Sequence, residues 1–160
     1  MRSTSVSGKA AIVFLSIALA LAFIVPAVAA DKPAVKGQKS LSNAPVSKDP
    51  NYWFQKGALC ATYGNNQAAI RYFGKAIALD PRHSGAYFSQ GISYGQLGDY
   101  SRAVADINRA IEMAPQNGLY YYGRGRTYQL AGEKDKALQD FRKAADLGDE
   151  DAQAYLKGVK

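Results

Sequence analysis

The sequence predicts an all-α fold: an α-α solenoid of three helical hairpins, closed by a short C-terminal capping helix. Three observations carry this. Small residues recur at a fixed step of 34 residues, as Gly57, Gly91 and Gly125, as Gly64, Gly98 and Gly132, as Ala69, Ala103 and Ala137, and as Ala76, Ala110 and Ala144. A fixed period of this size marks stacked repeats. Within each unit the recurring residues fall at i, i+4, i+7, the spacing of one helix face, and they do so twice. Between the two faces stand Gly64-Asn65, Gly98-Asp99 and Gly132-Glu133, where glycine stops one helix and a polar residue starts the next. One such hairpin cannot bury its apolar face alone, so neighbouring units must stack.

Taken in order, residues 1–30 read as an export signal. Arg2 and Lys9 give a positive start, residues 10–25 are an uncharged apolar run, and Pro26 interrupts it. Residues 27–29 and 28–30 are equally usable small-residue cleavage sites. The rival reading is an uncleaved anchor, because residues 10–30 carry no charge and are long enough to span a bilayer. Pro26 and the small residues after it favour cleavage. The expected location is therefore exported, periplasmic or secreted, with membrane anchoring only if the leader is kept. Residues 31–49 hold Pro33, Gly37, Pro45 and four lysines with few bulky apolar side chains, and read as a flexible linker.

The folded domain is expected over 50–160, with repeats near 50–83, 84–117 and 118–151 and a cap over 150–158. Helices are expected near 50–63, 66–79, 84–97, 100–113, 118–131 and 134–147, each roughly 21 Å long. Pro81 and Pro115 close the second helices of the first two units. The third unit runs instead through Leu147, Gly148 and Asp149, as a last repeat meeting its cap. In the capping helix Asp149, Glu150 and Asp151 suit the positive end of the helix dipole, and Ala154 with Tyr155 or Leu156 is expected to face inward.

Number each unit so that Trp53, Tyr87 and Tyr121 stand at position four. Position eight is then glycine throughout, position eleven is Cys60, Tyr94 and Tyr128, position twenty is alanine, and position twenty-four is Phe73, Ile107 and Phe141. Glycine and alanine at eight, twenty and twenty-seven let the two helices approach closely, and the larger side chains fill the space beside them. Over residues 50–151 this resembles the tetratricopeptide repeat family, whose pattern runs W-x₂-L-G-x₂-Y, A-x₃-F and P. Position seven departs from that pattern as Lys56, Gln90 and Arg124. A polar side chain beside the packing seam needs a partner. For Arg124 that partner is expected to be Asp140 at position twenty-three, as a partly exposed pair.

Composition narrows the function classes. The chain has 160 residues with 20 basic and 13 acidic side chains, a net charge of +7. Arg2 and Lys9 account for two of the basic residues, and the excess that remains does not single out nucleic acid. The single cysteine excludes an internal disulfide, and the single histidine excludes a histidine-rich metal site. Nucleophilic catalysis needs a nucleophile and an oriented base. Cys60 sits at an apolar repeat position and His83 in a turn. Residues 118–125 fail the phosphate-loop pattern at both final positions. No enzyme activity, cofactor or metal is expected.

A binding surface is what remains. Positions five, nine and twelve of each first helix lie about 100° round from the packing face. The resemblance implies that they line a concave groove together with position two. The candidate groove residues are Phe54, Ala58, Phe88, Ile92, Leu119, Tyr122, Arg126 and Gln129. Position five is equally consistent with packing between helices. The lysine and asparagine residues of a clamp for C-terminal carboxylates are absent from positions five and nine. The expected function is an exported protein–protein adaptor that binds a peptide or protein segment in the groove. The second reading is a structural, self-associating component of a cell-envelope assembly, docking through the solenoid ends or the convex face.

Overall fold

The computed structural model describes residues 47–158. The export signal over 1–30 and the linker up to residue 46 lie outside the described residues. Among the described residues there are seven helices and no strand: α1 (Pro50–Thr62), α2 (Asn66–Leu79), α3 (Ser84–Gln96), α4 (Tyr100–Met113), α5 (Gly118–Leu130), α6 (Lys134–Asp146) and α7 (Glu150–Gly158). No helix among them is long and apolar enough to cross a membrane.

Side chains at the helix starts fix these boundaries. Asp49 accepts from the Asn51 amide at 2.9 Å, Asn65 from Ala68 at 3.1 Å, Asp99 from Arg102 at 3.1 Å and Asn117 from Leu119 at 3.1 Å. Each satisfies an amide that the helix itself leaves unpaired. At α3 the cap is His83, whose Nδ1 accepts from the Ala86 amide at 3.2 Å. Glu133 makes no side-chain cap bond.

Two kinds of turn alternate. Within each hairpin a three-residue turn places glycine at positive φ: Gly64 at 74°, Gly98 at 81° and Gly132 at 83°. Its amide and the next one return to the carbonyls of the preceding helix, as Gly98 to Gly95 and Asp99 to Tyr94, both at 3.0 Å. Between hairpins the turn has four residues and contains Pro81 or Pro115. The connection from α6 to α7 is of the first kind. Gly148 has φ 89°, and Gly148 and Asp149 bond back to Ala145 and Ala144. The cap is thus joined through a glycine turn of the hairpin kind, while it packs on α6 as α3 packs on α2 and α5 on α4.

Packing follows the small residues. The two helices of each hairpin pack most closely, and α2–α3, α4–α5 and α6–α7 join the units. A Cβ at Gly57 would fall 2.6 Å from the Phe73 ring, one at Gly91 2.8 Å from Ile107 and from the Ala103 carbonyl, and one at Gly125 2.8 Å from Phe141. Real Cβ atoms essentially never come this close, so anything larger than glycine at position eight forces its neighbours to shift. Phe73, Ile107 and Phe141 fill the seams and are essentially inaccessible, as are the alanines at positions twenty and twenty-seven.

Three expectations need correction. Cys60, at a repeat position that predicts a buried apolar residue, is half-buried, as are its equivalents Tyr94 and Tyr128: each lies at the rim of its hairpin seam, and basic side chains cover the two tyrosines. Ala154 faces solvent. Because Asp149 caps the Ala152 amide at 2.8 Å, the inward stripe of α7 is Ala152, Tyr155 and Leu156, and Ala152 is fully buried. The Arg124–Asp140 pair is less exposed than expected, with side-chain exposures of 21% and 7%.

Candidate functional site

The first helices of the hairpins, α1, α3 and α5, stand side by side, and two hollows lie between them. One, of about 500 Å³, has Ala58, Ala61 and Thr62 of α1 on one wall and Phe88, Ile92 and Gln96 of α3 on the other, with Phe73 behind. The second, of about 320 Å³, opens on the opposite flank of Phe88, Ile92 and Gln96 and is closed by Leu119, Tyr122, Arg126 and Leu130 of α5. The shared α3 residues make the two hollows one interrupted groove.

Of the candidate residues, Ala58, Phe88, Ile92, Leu119, Tyr122 and Arg126 line these walls. Phe54 and Gln129 stand apart. The Phe54 ring packs 5.7 Å from Phe73 and 4.9 Å from His83. Gln129 donates to the Tyr155 hydroxyl at 3.1 Å, on the side of α7. Phe88 has a double role: it stacks on Tyr120 at 4.8 Å and presents an edge to both hollows. Sequence reasoning missed position thirteen, which supplies Thr62, Gln96 and Leu130 to the walls. The signal was present, since thirteen continues five and nine by another step of four.

The floor is small and its polar groups are occupied. A Cβ at Gly123 would lie 2.5 Å from the Phe88 ring, so α3 and α5 touch there through glycine. Ser93 donates to the Ser89 carbonyl at 2.9 Å and Thr127 to Gly123 at 3.0 Å. Both hydroxyls are spent on their own helices, which leaves an apolar floor. Arg126, exposed, is the one charged residue in the walls of either hollow. Leu119 and Leu130 beside it are 48% and 55% exposed. The groove is thus chemically suited to apolar side chains with an anionic group at its α5 end.

A third hollow, of about 490 Å³, lies over the seam between α5 and α6. Two of its three lining cations, Arg124 and Lys136, are engaged from within. Arg124 grips Asp140 through two nitrogens at 2.8 Å each and gives a third bond, 2.6 Å, to Asn108 of the preceding hairpin. Lys136 pairs with Glu133. His83 and Cys60 form no reactive couple: His83 Nδ1 is bound as a cap, and Cys60 sits half-buried on α1.

No curated protein sequence matches the chain. Among solved structures it is similar to MamA at 25% identity and a TM-score of 0.60, over 66% of this chain and 62% of that one. It shares the fold of the first tetratricopeptide domain of Spaghetti (RPAP3) bound to the HSP90 peptide SRMEEVD, at 20% identity and a TM-score of 0.65, over 71% and 92% of the two chains. It also shares the fold of YrrB, a tetratricopeptide protein with an unusual peptide-binding site, at 21% identity and a TM-score of 0.64, over 69% and 58%. The chain thus spans about three-fifths of the length of MamA and of YrrB. Family models described as tetratricopeptide repeat match residues 50–83 and 88–154. With the period, the hairpins and these matches in agreement, the chain belongs to the tetratricopeptide repeat family.

Proposed function

We propose that this protein is an exported adaptor that binds a peptide or protein segment in the groove along α1, α3 and α5. The observation that carries this reading is the pair of hollows joined through Phe88, Ile92 and Gln96, predominantly apolar, with Arg126 the one charged residue in their walls. An extended or helical segment seats apolar side chains in the two hollows in turn and sets a carboxylate against Arg126. Two solved structures that share the fold are described as peptide-binding, one holding an acidic peptide, which supports the class of partner. Export rests on the leader read from residues 1–30.

The test is a random-peptide selection against the full chain. Apolar peptides with an acidic residue at one end should be enriched. Leu119→Ser with Arg126→Glu should weaken the selected peptides by about tenfold or more, with melting unchanged because both side chains are exposed. Enrichment that ignores this double variant sinks the groove reading.

A further inference from the structure

The two ends of the stack are finished differently. Position three, six and ten residues of a first helix face the preceding hairpin. In α5 they are Tyr120, which stacks on Phe88, Gly123, which touches its ring, and Thr127, 3% exposed. In α3, Ala86 and Ser93 at the same positions are 0% and 1% exposed. On α1 these positions have nothing in front of them among the described residues. Tyr52 is 40% exposed, Leu59 58%, and Tyr63 one turn further 81%. At the other end α7 covers the last hairpin and turns Glu150, Asp151, Gln153 and Lys157 to solvent, the polar outer face that a terminal cap needs.

Charge says what covers α1. In the second and third hairpins the seam cations are neutralised, as Arg102 by Asp99, Arg124 by Asp140 and Lys136 by Glu133. In the first hairpin position twenty-three is Tyr72, where the later repeats have Asp106 and Asp140. Lys56 and Lys75 rest on the rings of Tyr52 and Trp53, at 4.8 and 4.1 Å, with no salt bridge among the described residues. Residues 50–83 carry four basic side chains against Asp80 alone, whereas 84–117 carry two against three acidic and 118–151 six against seven. The basic excess sits at the uncovered end. The chain's own residues 1–46 hold five basic side chains against Asp31, so they bring the wrong charge. A second copy docking end to end, α1 against α1, brings like charge, and one docking by α7 brings a polar surface to an apolar stripe.

We propose that the α1 end is a second docking surface, distinct from the groove, and that it takes an acidic amphipathic helix. A helix fits because the same positions on α3 and α5 already receive helices. Its apolar stripe lies along Tyr52, Leu59 and Tyr63, and its flanking carboxylates meet Lys56 and Lys75. Trp53, the single tryptophan, lies beneath Lys75 and beside Tyr52 at 5.1 Å, so its emission reports this end and not the groove.

The experiment titrates the full chain with a panel of synthetic helical peptides of about 20 residues. These carry leucine or phenylalanine at i, i+3, i+7 and glutamate on the flanks, and a matched panel carries lysine in place of glutamate. Saturable change in Trp53 emission is expected with the acidic panel and not the basic one, weakening with salt. Lys56→Glu with Lys75→Glu, and separately Leu59→Ser, should each reduce affinity about tenfold, with helicity unchanged. The proposal is overturned if no acidic peptide gives a saturable change, if both panels bind alike, or if neither variant alters binding. It is equally overturned if the chain alone forms a concentration-dependent dimer that Leu59→Ser abolishes, because a second copy then occupies the face.

Discussion

Asp106 and Asp140 occupy the same repeat position and meet opposite fates. Asp140 is held by both nitrogens of the Arg124 fork, a geometry that makes a partly buried ion pair strong. The equivalent of Arg124 in the middle hairpin is Gln90, whose amide has turned to the Ile70 carbonyl at 2.9 Å. Asp106 is left with one buried oxygen unbonded. Burial pushes its carboxyl up to about 6, and Arg102 opposes this only weakly. A carboxyl raised in the folded state binds its proton more tightly there than in the unfolded chain. Its contribution is therefore fully present below about pH 4 and is lost as pH rises to about 6. Asp106→Asn should remove that fall, a gain of about 1–2 kcal/mol at pH 7 once its partial exposure is allowed for, measured by denaturant melts at pH 4, 5, 6 and 7. Gln90→Arg should act in the same direction at pH 7 by recreating the third hairpin's pair. Arg124→Ala should cost about 3 kcal/mol, because it strands a buried carboxylate. The Arg124–Asp140 partnership was legible in sequence, since positions seven and twenty-three face each other in any such hairpin. The orphaning of Asp106 was not: it depends on which way one glutamine amide points.

Each hairpin is closed by one glycine more than by any large side chain. A methyl group at Gly91 meets both a carbonyl oxygen and Ile107 at 2.8 Å, and neither the α4 backbone nor a fully buried side chain has room to yield. Gly91→Ala should cost about 1–3 kcal/mol by overpacking, while Gly158→Ala, with nothing within 4 Å, should be neutral to slightly stabilising. Calorimetric melting of the two variants separates packing from helix propensity, which by itself favours alanine at both sites. The architecture was readable because small residues at positions eight, twenty and twenty-seven report backbone approach whatever surrounds them, and α2 and α4 fall on their expected bounds. The groove was read less completely. Whether a position-five aromatic lines a hollow or fills a seam depends on its neighbours in the next turn, and His83 against Phe54 decides it in the first hairpin. In α7 the start at Glu150 was expected, but which face turns inward, Ala152 and not Ala154, is a register that a nine-residue helix states too briefly for periodicity to resolve.

Across the whole molecule, each hairpin touches chiefly its immediate neighbours, so stability should be a sum of local terms coupled at the interfaces. The C-terminal end offers a clean test. Phe141 lies 4.3 Å from the Tyr155 ring, and Ala144 and Ala152 are both fully buried. Ending the chain at Asp149 removes Ala152, Tyr155 and Leu156 from the face of the last hairpin, an apolar loss of about 2–4 kcal/mol. If coupling is local, amide exchange in α5 and α6 should accelerate first, and α1 to α4 should keep most of their protection. Arg124 complicates this in an informative way, because its bond to Asn108 ties the third hairpin to the second. Combining the truncation with Asn108→Ala should therefore confine the loss more sharply to α5 and α6. A uniform loss of protection along all six helices in the truncated chain would mean that the three repeats unfold as one unit, and that α7 stabilises the entire stack, not its last hairpin alone.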